Sequence, residues 1–211
     1  SDLVQSAYVS SGPNANGVLG GWDGQYYGND GRYVTFSSIE RFHVFTGAGS
    51  DTITTASGDD VVSAGGSNDV VNVGSGNDTA DGGADADQIS ADLSAATGAI
   101  AWNLITNSYS GPMGSFTNFE FFGTVSTGSG NDVLVSGSGT RHETLNTGSG
   151  DDSVTVSGGN DSVILGTGDD TLIIDWTNVF ATAYVSSGPN VNGVDGGWDG
   201  QFYANDGSYV T

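Results

Sequence analysis

The chain has 211 residues and a formal net charge of −22, because only three basic residues stand against 25 acidic ones. This balance excludes nucleic acid and anionic membrane surfaces as partners, and the absence of cysteine excludes disulfides and zinc–thiolate sites. With 36 glycines and no apolar run of bilayer-spanning length, the sequence predicts no membrane insertion, and a chain that either stays partly disordered or folds around bound cations.

Residues 1–43 are rich in glycine and aromatic side chains and show no regular spacing of acids. Short aromatic stretches alternate with Gly-Asn-Asp turns, which predicts short strands joined by turns. We expect these residues to form wider coils of the same solenoid as the repeats that follow, without bound cations. Packing inside the coils is favoured over a glycan-binding platform for the aromatic residues Trp22, Tyr26, Tyr27, Trp102 and Tyr109.

Residues 44–95 carry acids at intervals of nine residues without exception. An apolar residue stands two positions after each acid, and glycines usually stand four and two positions before it. The apolar-centred triplets predict strands with one inward side chain, and the glycine-rich stretches predict turns, since glycine reaches positive φ without steric cost. The acids of this first block are Asp51, Asp60, Asp69, Asp78 and Asp87.

Residues 96–122 lack the acid spacing and are expected to form spacer coils, with strands around 99–105 and 116–125. The segment that begins at Phe36 (FSSIERFHVFTGAGSDTI) resembles the segment that begins at Phe116 (FTNFEFFGTVSTGSGNDVL). This similarity indicates a nested duplication that includes the entry into each block of repeats.

Residues 123–176 form a second block, in which Glu143, Asp152, Asp161 and Asp170 again stand nine residues apart. Asp132 precedes Glu143 by eleven residues, which implies a two-residue insertion. The turn SGTRHE (138–143) is the most degenerate, because Arg141 replaces the glycine two positions before the acid.

Residues 177–211 begin a second copy of the start of the chain. Residues 182–211 match residues 6–35 at 24 of 30 positions, with a constant offset of 176. We therefore expect one unit of about 176 residues followed by the opening of the next, with neighbouring units of the same chain as partners.

Packing alone cannot fold these repeats. Each repeat buries roughly one aliphatic side chain, worth about 1.5–3 kcal/mol, against about 1–2 kcal/mol of backbone entropy for every ordered residue. A carboxylate and several turn carbonyls form an all-oxygen ligand set, which suits Ca²⁺ better than Mg²⁺. The alternative, that the acids only make solvated Asx-turns, gives no reason for the constant spacing.

The spacing also predicts which acids lie together. If two repeats form one coil of a β-solenoid, residues 18 apart stack on the same edge. In the first block Asp51, Asp69 and Asp87 then share one edge, and Asp60 and Asp78 share the other. In the second block Glu143 pairs with Asp161, and Asp152 pairs with Asp170.

We expect about five to nine calcium ions, with the degenerate turn as the weakest site and Arg141 there as an alternative internal counter-charge. The candidate carboxylate ligands are Asp51, Asp60, Asp69, Asp78, Asp87, Asp132, Glu143, Asp152, Asp161 and Asp170. The candidate turn glycines are Gly47, Gly49, Gly58, Gly65, Gly74, Gly76, Gly83, Gly128, Gly130, Gly148, Gly150, Gly159, Gly166 and Gly168.

Segments such as TGSGNDVLV (127–135), VGSGNDTAD (73–81) and GGADADQIS (82–90) resemble the RTX nonapeptide GGxGxDxUx, in which U is apolar. The resemblance covers both blocks and implies an all-β fold, a right-handed parallel β-roll or β-solenoid, with Ca²⁺ held between turns on one edge. It also implies export by a type I secretion system and folding in extracellular calcium. Ala56, Ser67, Asp85, Arg141 and Ser157 depart from the glycine positions of that pattern.

The favoured function is a calcium-binding structural module of a large, secreted, tandem-repeat surface protein, such as an adhesin, an S-layer or a biofilm-matrix extender. The alternative is the secretion and folding domain of a type I-secreted hydrolase, a protease or lipase. An ice-binding face is disfavoured, because only Thr167 occupies the third position of a well-formed turn. No enzyme is expected, since the two histidines, His43 and His142, belong to no catalytic motif, and acid pairs such as Asp59 and Asp60 lie in the calcium turns.

Overall fold

The computed structural model describes residues 7–13, 22–28, 31–177, 183–189, 198–204 and 208–211. Every regular element in these residues is a β-strand, as the sequence predicts. No helix in the described ranges has the length and hydrophobicity needed to cross a bilayer.

The first block alternates between two parallel sheets, strand by strand. Successive strands, nine residues apart, lie in different sheets. Each strand pairs with the strand 18 residues later, as in the registers Ile53↔Val71 and Val62↔Ala80. One sheet contains β5 (Thr52–Thr54), β7 (Val70–Ser75) and β9 (Gln88–Asp92), and the other contains β4 (His43–Phe45), β6 (Val61–Ser63) and β8 (Thr79–Asp81).

The second block repeats this arrangement. Leu134 pairs with Val154, and Val154 pairs with Leu172, while Leu145 pairs with Val163 in the other sheet. The strands are β14 (Val133–Val135), β15 (Thr144–Asn146), β16 (Ser153–Val156), β17 (Asn160–Ile164) and β18 (Thr171–Ile174).

The spacer connects the two blocks without a break in the parallel pairing of β9. Its last strand pairs with β9 on one side and β15 on the other, so one sheet runs through both blocks. The spacer strands are β10 (Ala101–Asn103), β11 (Ser108–Ser110), β12 (Ser115–Thr117) and β13 (Phe121–Ser126).

The aromatic segments at the two ends form antiparallel strands, which corrects the expectation that residues 1–43 make wider coils of the solenoid. The first three described strands of the chain pair antiparallel with their neighbours, and so do the last three. The first set is β1 (Ala7–Pro13), β2 (Trp22–Gly28) and β3 (Tyr33–Ile39), and the second is β19 (Ala183–Pro189), β20 (Trp198–Ala204) and β21 (Tyr209–Val210).

These strands belong to three sheets. The largest has twelve strands in the order β19-β20-β21-β17-β15-β13-β9-β7-β5-β1-β2-β3. The others are β11-β10-β14-β16-β18 and β12-β8-β6-β4.

The core lies between the sheets, and each repeat contributes one or two apolar side chains to it, as Val71 and Val73 do. The apolar residue two positions after the acid is fully buried in the repeats from Ile53 to Val154 and half-buried at Val163 and Leu172. The spacer adds an aromatic cluster in which Trp102, 2% exposed, stacks on Phe116 with ring centroids 4.5 Å apart. Trp102 and Tyr109 are therefore packing residues, as favoured from the sequence, whereas Tyr27 is 47% exposed and does not fit that expectation.

Candidate metal centre

The acids of each edge are linked by a ladder of backbone hydrogen bonds. The Asp51 N–H donates to Asp69 Oδ1 at 2.7 Å, and the Asp69 N–H donates to Asp87 Oδ1 at 2.8 Å. On the other edge the Asp60 N–H donates to Asp78 Oδ1 at 2.8 Å. The stacking predicted for the first block is thus confirmed.

The second block shows the same ladder. The Glu143 N–H donates to Asp161 Oδ1 at 3.1 Å, and the Asp152 N–H donates to Asp170 Oδ1 at 3.0 Å. These contacts confirm both predicted pairs. Asp132 joins its edge through an offset of 20 residues, because its N–H donates to Asp152 Oδ1.

Most of these carboxylates accept a backbone N–H at Oδ1 and bury the other oxygen. The second oxygen, Oδ2, is inaccessible to solvent and accepts no hydrogen bond in eight of the acids. A buried, unpartnered carboxylate oxygen is costly in a protein unless a cation neutralises it. The eight acids are Asp51, Asp60, Asp69, Asp78, Asp87, Asp132, Asp152 and Asp161.

Burial dominates the electrostatics of these groups. It raises the pKa of Asp69, Asp78 and Asp161 from 3.8 to about 7, and that of Asp87 to about 6. The same-edge acids Asp51 and Asp87 add to the shift at Asp69, whereas the hydrogen bond from the Asp51 backbone opposes it. Without a cation, Asp69, Asp78 and Asp161 therefore resist ionisation at neutral pH.

Glycine is required at the turns because turns stacked on the same edge are in backbone-to-backbone contact. Gly65 has φ of +100°, and a Cβ there would overlap the carbonyl oxygen of Gly47, the residue 18 positions earlier. Ten of the candidate glycines have positive φ and such a carbonyl behind them: Gly58, Gly65, Gly74, Gly76, Gly83, Gly148, Gly150, Gly159, Gly166 and Gly168. Of the other four, Gly47 has open space around it, and Gly128 and Gly130 press on backbone of the 96–99 segment.

At Asp87, a backbone carbonyl borders the same space as the unpartnered carboxylate oxygen. A Cβ on Gly82 would lie 2.9 Å from Asp87 Oδ2 and would overlap the Asn118 carbonyl oxygen. Within the described residues, no group of three or more His, Asp or Glu side chains converges on one point. The arrangement fits a hard cation that takes one carboxylate oxygen from an acid and the rest of its ligands from turn carbonyls.

Two candidate acids differ from the other eight. Asp170, in the last described turn of its edge, is only half-buried. Glu143 is 5% exposed, but its carboxylate accepts hydrogen bonds from the Ser136 hydroxyl and the Phe122 N–H. Burial and the neighbouring Asp161 nevertheless raise the pKa of Glu143 to about 8. A protonated, hydrogen-bonded Glu143 requires no cation.

The contacts of Arg141 differ from the counter-charge role in its own turn that the sequence suggested. Its guanidinium donates to Gln88 Oε1 at 3.2 Å and lies 4.8 Å from the centroid of the Phe121 ring. The residue at the missing glycine position therefore ties the second block to β9 and β13 of the same sheet.

Sequence reasoning missed a second ladder, made by the residue just before each acid. There the side-chain oxygen of Asp59 accepts the N–H of Asn77, and Asp151 accepts the N–H of Asp169, each 18 residues later. His142 replaces the usual Asn or Asp and accepts the Asn160 N–H at Nδ1, 2.9 Å away. The signal was present: seven of the ten repeats carry Asn or Asp at this position, namely Asp59, Asn68, Asn77, Asn131, Asp151, Asn160 and Asp169.

Sequence reasoning also missed Glu120, which extends the acid ladder into the spacer. Glu120 Oε2 accepts the Asp87 N–H at 2.9 Å. The similarity between the segments at Phe36 and Phe116 has a structural counterpart here, since Ser38 and Asn118 both have φ of 56°. Each segment then presents the backbone N–H of a phenylalanine to the second acid of the following block, from Phe42 to Asp60 and from Phe122 to Glu143.

The family model of the RTX calcium-binding nonapeptide repeat matches the chain in four copies, at residues 45–80, 63–94, 124–141 and 138–172. Searches of curated proteins and of solved structures returned no match. The four matched stretches coincide with the turns that hold the acid ladders. Residues 45–94 and 124–172 are therefore RTX calcium-binding nonapeptide repeats.

Proposed function

We propose that this chain is a calcium-folded structural module of a large, secreted surface protein built from tandem units of about 176 residues. In this proposal the two blocks and the spacer form one right-handed parallel β-roll, with the residue 1–43 and 177–211 segments between successive rolls. The observation that carries the proposal is the row of eight buried Oδ2 atoms without hydrogen-bond partners.

Calcium would supply positive charge where the fold stacks negative charge. The ligands would be the carboxylates of the eight acids, with Asp170 at the half-exposed end of its edge, together with carbonyls of the glycine-rich turns. Because the turns do not exist in the unfolded chain, the free energy of ion binding becomes free energy of folding. Affinities of about 10⁻⁴–10⁻³ M, which are common in extracellular modules, would leave the chain unfolded before export and fold it outside the cell.

The role of extender is supported by the long repeat more than by the turns. The 24 identities among 30 positions at an offset of 176 fit an array of units that adds length. A secretion domain on a hydrolase requires calcium turns but no such long-period duplication. An adhesin, an S-layer protein or a biofilm-matrix protein would use such an array as an extender.

The test is a calcium titration followed by far-UV circular dichroism. We expect a mostly disordered spectrum in EDTA, a cooperative gain of β signal in millimolar Ca²⁺, and little gain in equal Mg²⁺, which demands octahedral geometry. A β spectrum that survives chelation would refute the coupling of calcium to folding. Further 176-residue copies in the flanking sequence would support the array, and a catalytic domain there would favour the hydrolase alternative.

A further inference from the structure

The two copies of the aromatic segment fold in the same way. In the first copy Ala7 pairs with Gly28 and Pro13 with Trp22; in the second, all four positions shift by 176, to pairs such as Ala183↔Ala204. The third strands also correspond, since Tyr27↔Tyr33 becomes Tyr203↔Tyr209. We refer to β1–β3 and β19–β21 as the first and second meander.

The two meanders attach to the repeats through opposite edges. The first meander uses its first strand, which pairs with β5 in parallel at Tyr8↔Thr52 and Val9↔Ile53. The second uses its third strand, which pairs with β17 in parallel at Asn160↔Tyr209 and Asp161↔Val210. In the described part of the chain β3 and β19 are the two end strands of the twelve-stranded sheet.

Burial of identical residues differs accordingly. Val210 is 1% exposed against β17, whereas its copy Val34 in β3 is 59% exposed. Tyr33 is 66% exposed, while its copy Tyr209 is half-buried. The open edge of β3 thus displays the same apolar side chain that the second meander buries.

We propose that the meander is the junction between consecutive units, and that the edge of β3 receives the β17-equivalent strand of a preceding copy of this unit. This inference rests on the proposed tandem function. A meander of three strands has parallel first and third strands, so it can pair in parallel on both sides at once. One sheet then runs from unit to unit through β17, β3, β2, β1 and β5, in which β2 alone is antiparallel to the others.

The backbone hydrogen bonds at the second meander show which hydrogen bonds the edge of β3 would make. The Tyr209 N–H donates to the Gly159 carbonyl, the Thr211 N–H donates to the Asp161 carbonyl, and the Val163 N–H donates to the Thr211 carbonyl, at 2.7–2.8 Å. The equivalent donors and acceptor on the first meander belong to Tyr33 and Thr35. The junction therefore holds the backbone of an acid of the calcium ladder, Asp161.

The test uses the full chain in millimolar Ca²⁺ and four proteins: wild type, Val210→Asp, Val34→Asp and the double variant. Val210→Asp places a charge in the buried junction and releases β17, which can then pair with β3 of a second molecule. At about 1 mM protein, the effective concentration of a short tether, we expect its weight-average mass to rise at least twofold above 21.3 kDa. The other three proteins should remain monomeric by sedimentation.

A monomeric Val210→Asp protein at that concentration would overturn the junction, and so would equal association of the double variant. Hydrogen exchange of the wild type provides a measurement that needs no variant: amides of Tyr209 and Thr211 should exchange at least tenfold more slowly than those of Tyr33 and Thr35. Equal exchange would also overturn it. Calcium-induced circular dichroism of wild type and Val34→Asp tests the proposed function separately, because it requires no association.

Discussion

Replacing Asp69 with asparagine removes a charge from the interior of the first block and keeps an oxygen for the Asp51 N–H. Asp69 has a same-edge acid 18 residues before it and another 18 residues after it. Its Oδ2 is buried without a hydrogen-bond partner, so the carboxylate can serve the ions on both sides. Glu143 is the matched control, because its carboxylate is equally buried but already hydrogen-bonded.

The expected loss follows from the number of ions affected. With Ca²⁺ tenfold above its Kd, each lost ion lowers the free energy of unfolding by about 1.4 kcal/mol. Asp69→Asn should therefore cost about 3 kcal/mol if two ions are lost. Asp69→Ala should cost about 1–3 kcal/mol more, because it leaves the buried Asp51 N–H without an acceptor. Glu143→Gln should change stability by less than about 1 kcal/mol, since the amide resembles the protonated acid.

The assay is urea unfolding at fixed calcium, with calcium midpoints measured by circular dichroism for the same four proteins. Solenoid stability is roughly a sum of units and neighbour terms, so the loss at Asp69 should extend to the repeats of Asp51 and Asp87. Equal losses for Asp69→Asn and Glu143→Gln would refute the assignment of cations to the unpartnered oxygens. A larger loss at Glu143 would show that the degenerate turn nucleates the second block.

Two further predictions test the turns. Gly65→Ala should destabilise the folded chain by at least about 1–2 kcal/mol, the cost of a Cβ in the left-handed region. The adjacent Gly66 has open space around it, so Gly66→Ala should be within about 0.5 kcal/mol of wild type. Thermal unfolding in calcium separates the two variants, and similar melting temperatures would contradict the stacking of turn carbonyls. His142→Asn should keep the acceptor for the Asn160 N–H and therefore wild-type stability. His142→Ala should lower the free energy of unfolding by about 0.5–1 kcal/mol. A loss of stability in both variants would mean that the imidazole acts through another contact.

The acid spacing was sufficient to predict the strands, their parallel pairing and the stacked pairs of acids. With two nine-residue repeats in each coil, position 53 meets position 71, as observed. The aromatic ends were harder to interpret, since short alternating stretches fit coils and hairpins equally well. The structure establishes the antiparallel meander through pairs such as those of Tyr26 with Val9 and with Val34.

The sequence also could not predict which neighbours the long side chains contact. Arg141 stands two positions before an acid, which suggested a counter-charge for that turn. Its long side chain instead reaches Gln88 and the Phe121 ring, brought near by the spacer. Glu120 was overlooked because it follows Asp87 by 33 residues and fits no nine-residue spacing. Both contacts depend on the path of the spacer, which no local pattern specifies.

The stability of the ion-free fold should depend on pH in the direction opposite to that of the calcium-bound fold. Burial raises the pKa of Asp69, Asp78 and Asp161 from 3.8 to about 7. A carboxyl group with a raised pKa in the folded state favours folding below its unfolded value. That contribution is lost as pH rises through the folded value. Without calcium, folding should thus be favoured near pH 5 and lost toward pH 7.5, a window that stays above the pI of 4.1.

With millimolar calcium the trend should reverse, because protons and Ca²⁺ compete for the same carboxylates. Circular dichroism against pH at the two calcium levels should give curves that cross between pH 5 and 7.5. Asp78→Asn should extend ion-free folding to higher pH, since its amide cannot ionise. Asp175→Asn removes the same charge from an exposed carboxylate that Thr177 hydrogen-bonds, and it should not have this effect. Equal responses of the two variants would attribute the pH dependence to net charge and exclude the buried ladder as its cause.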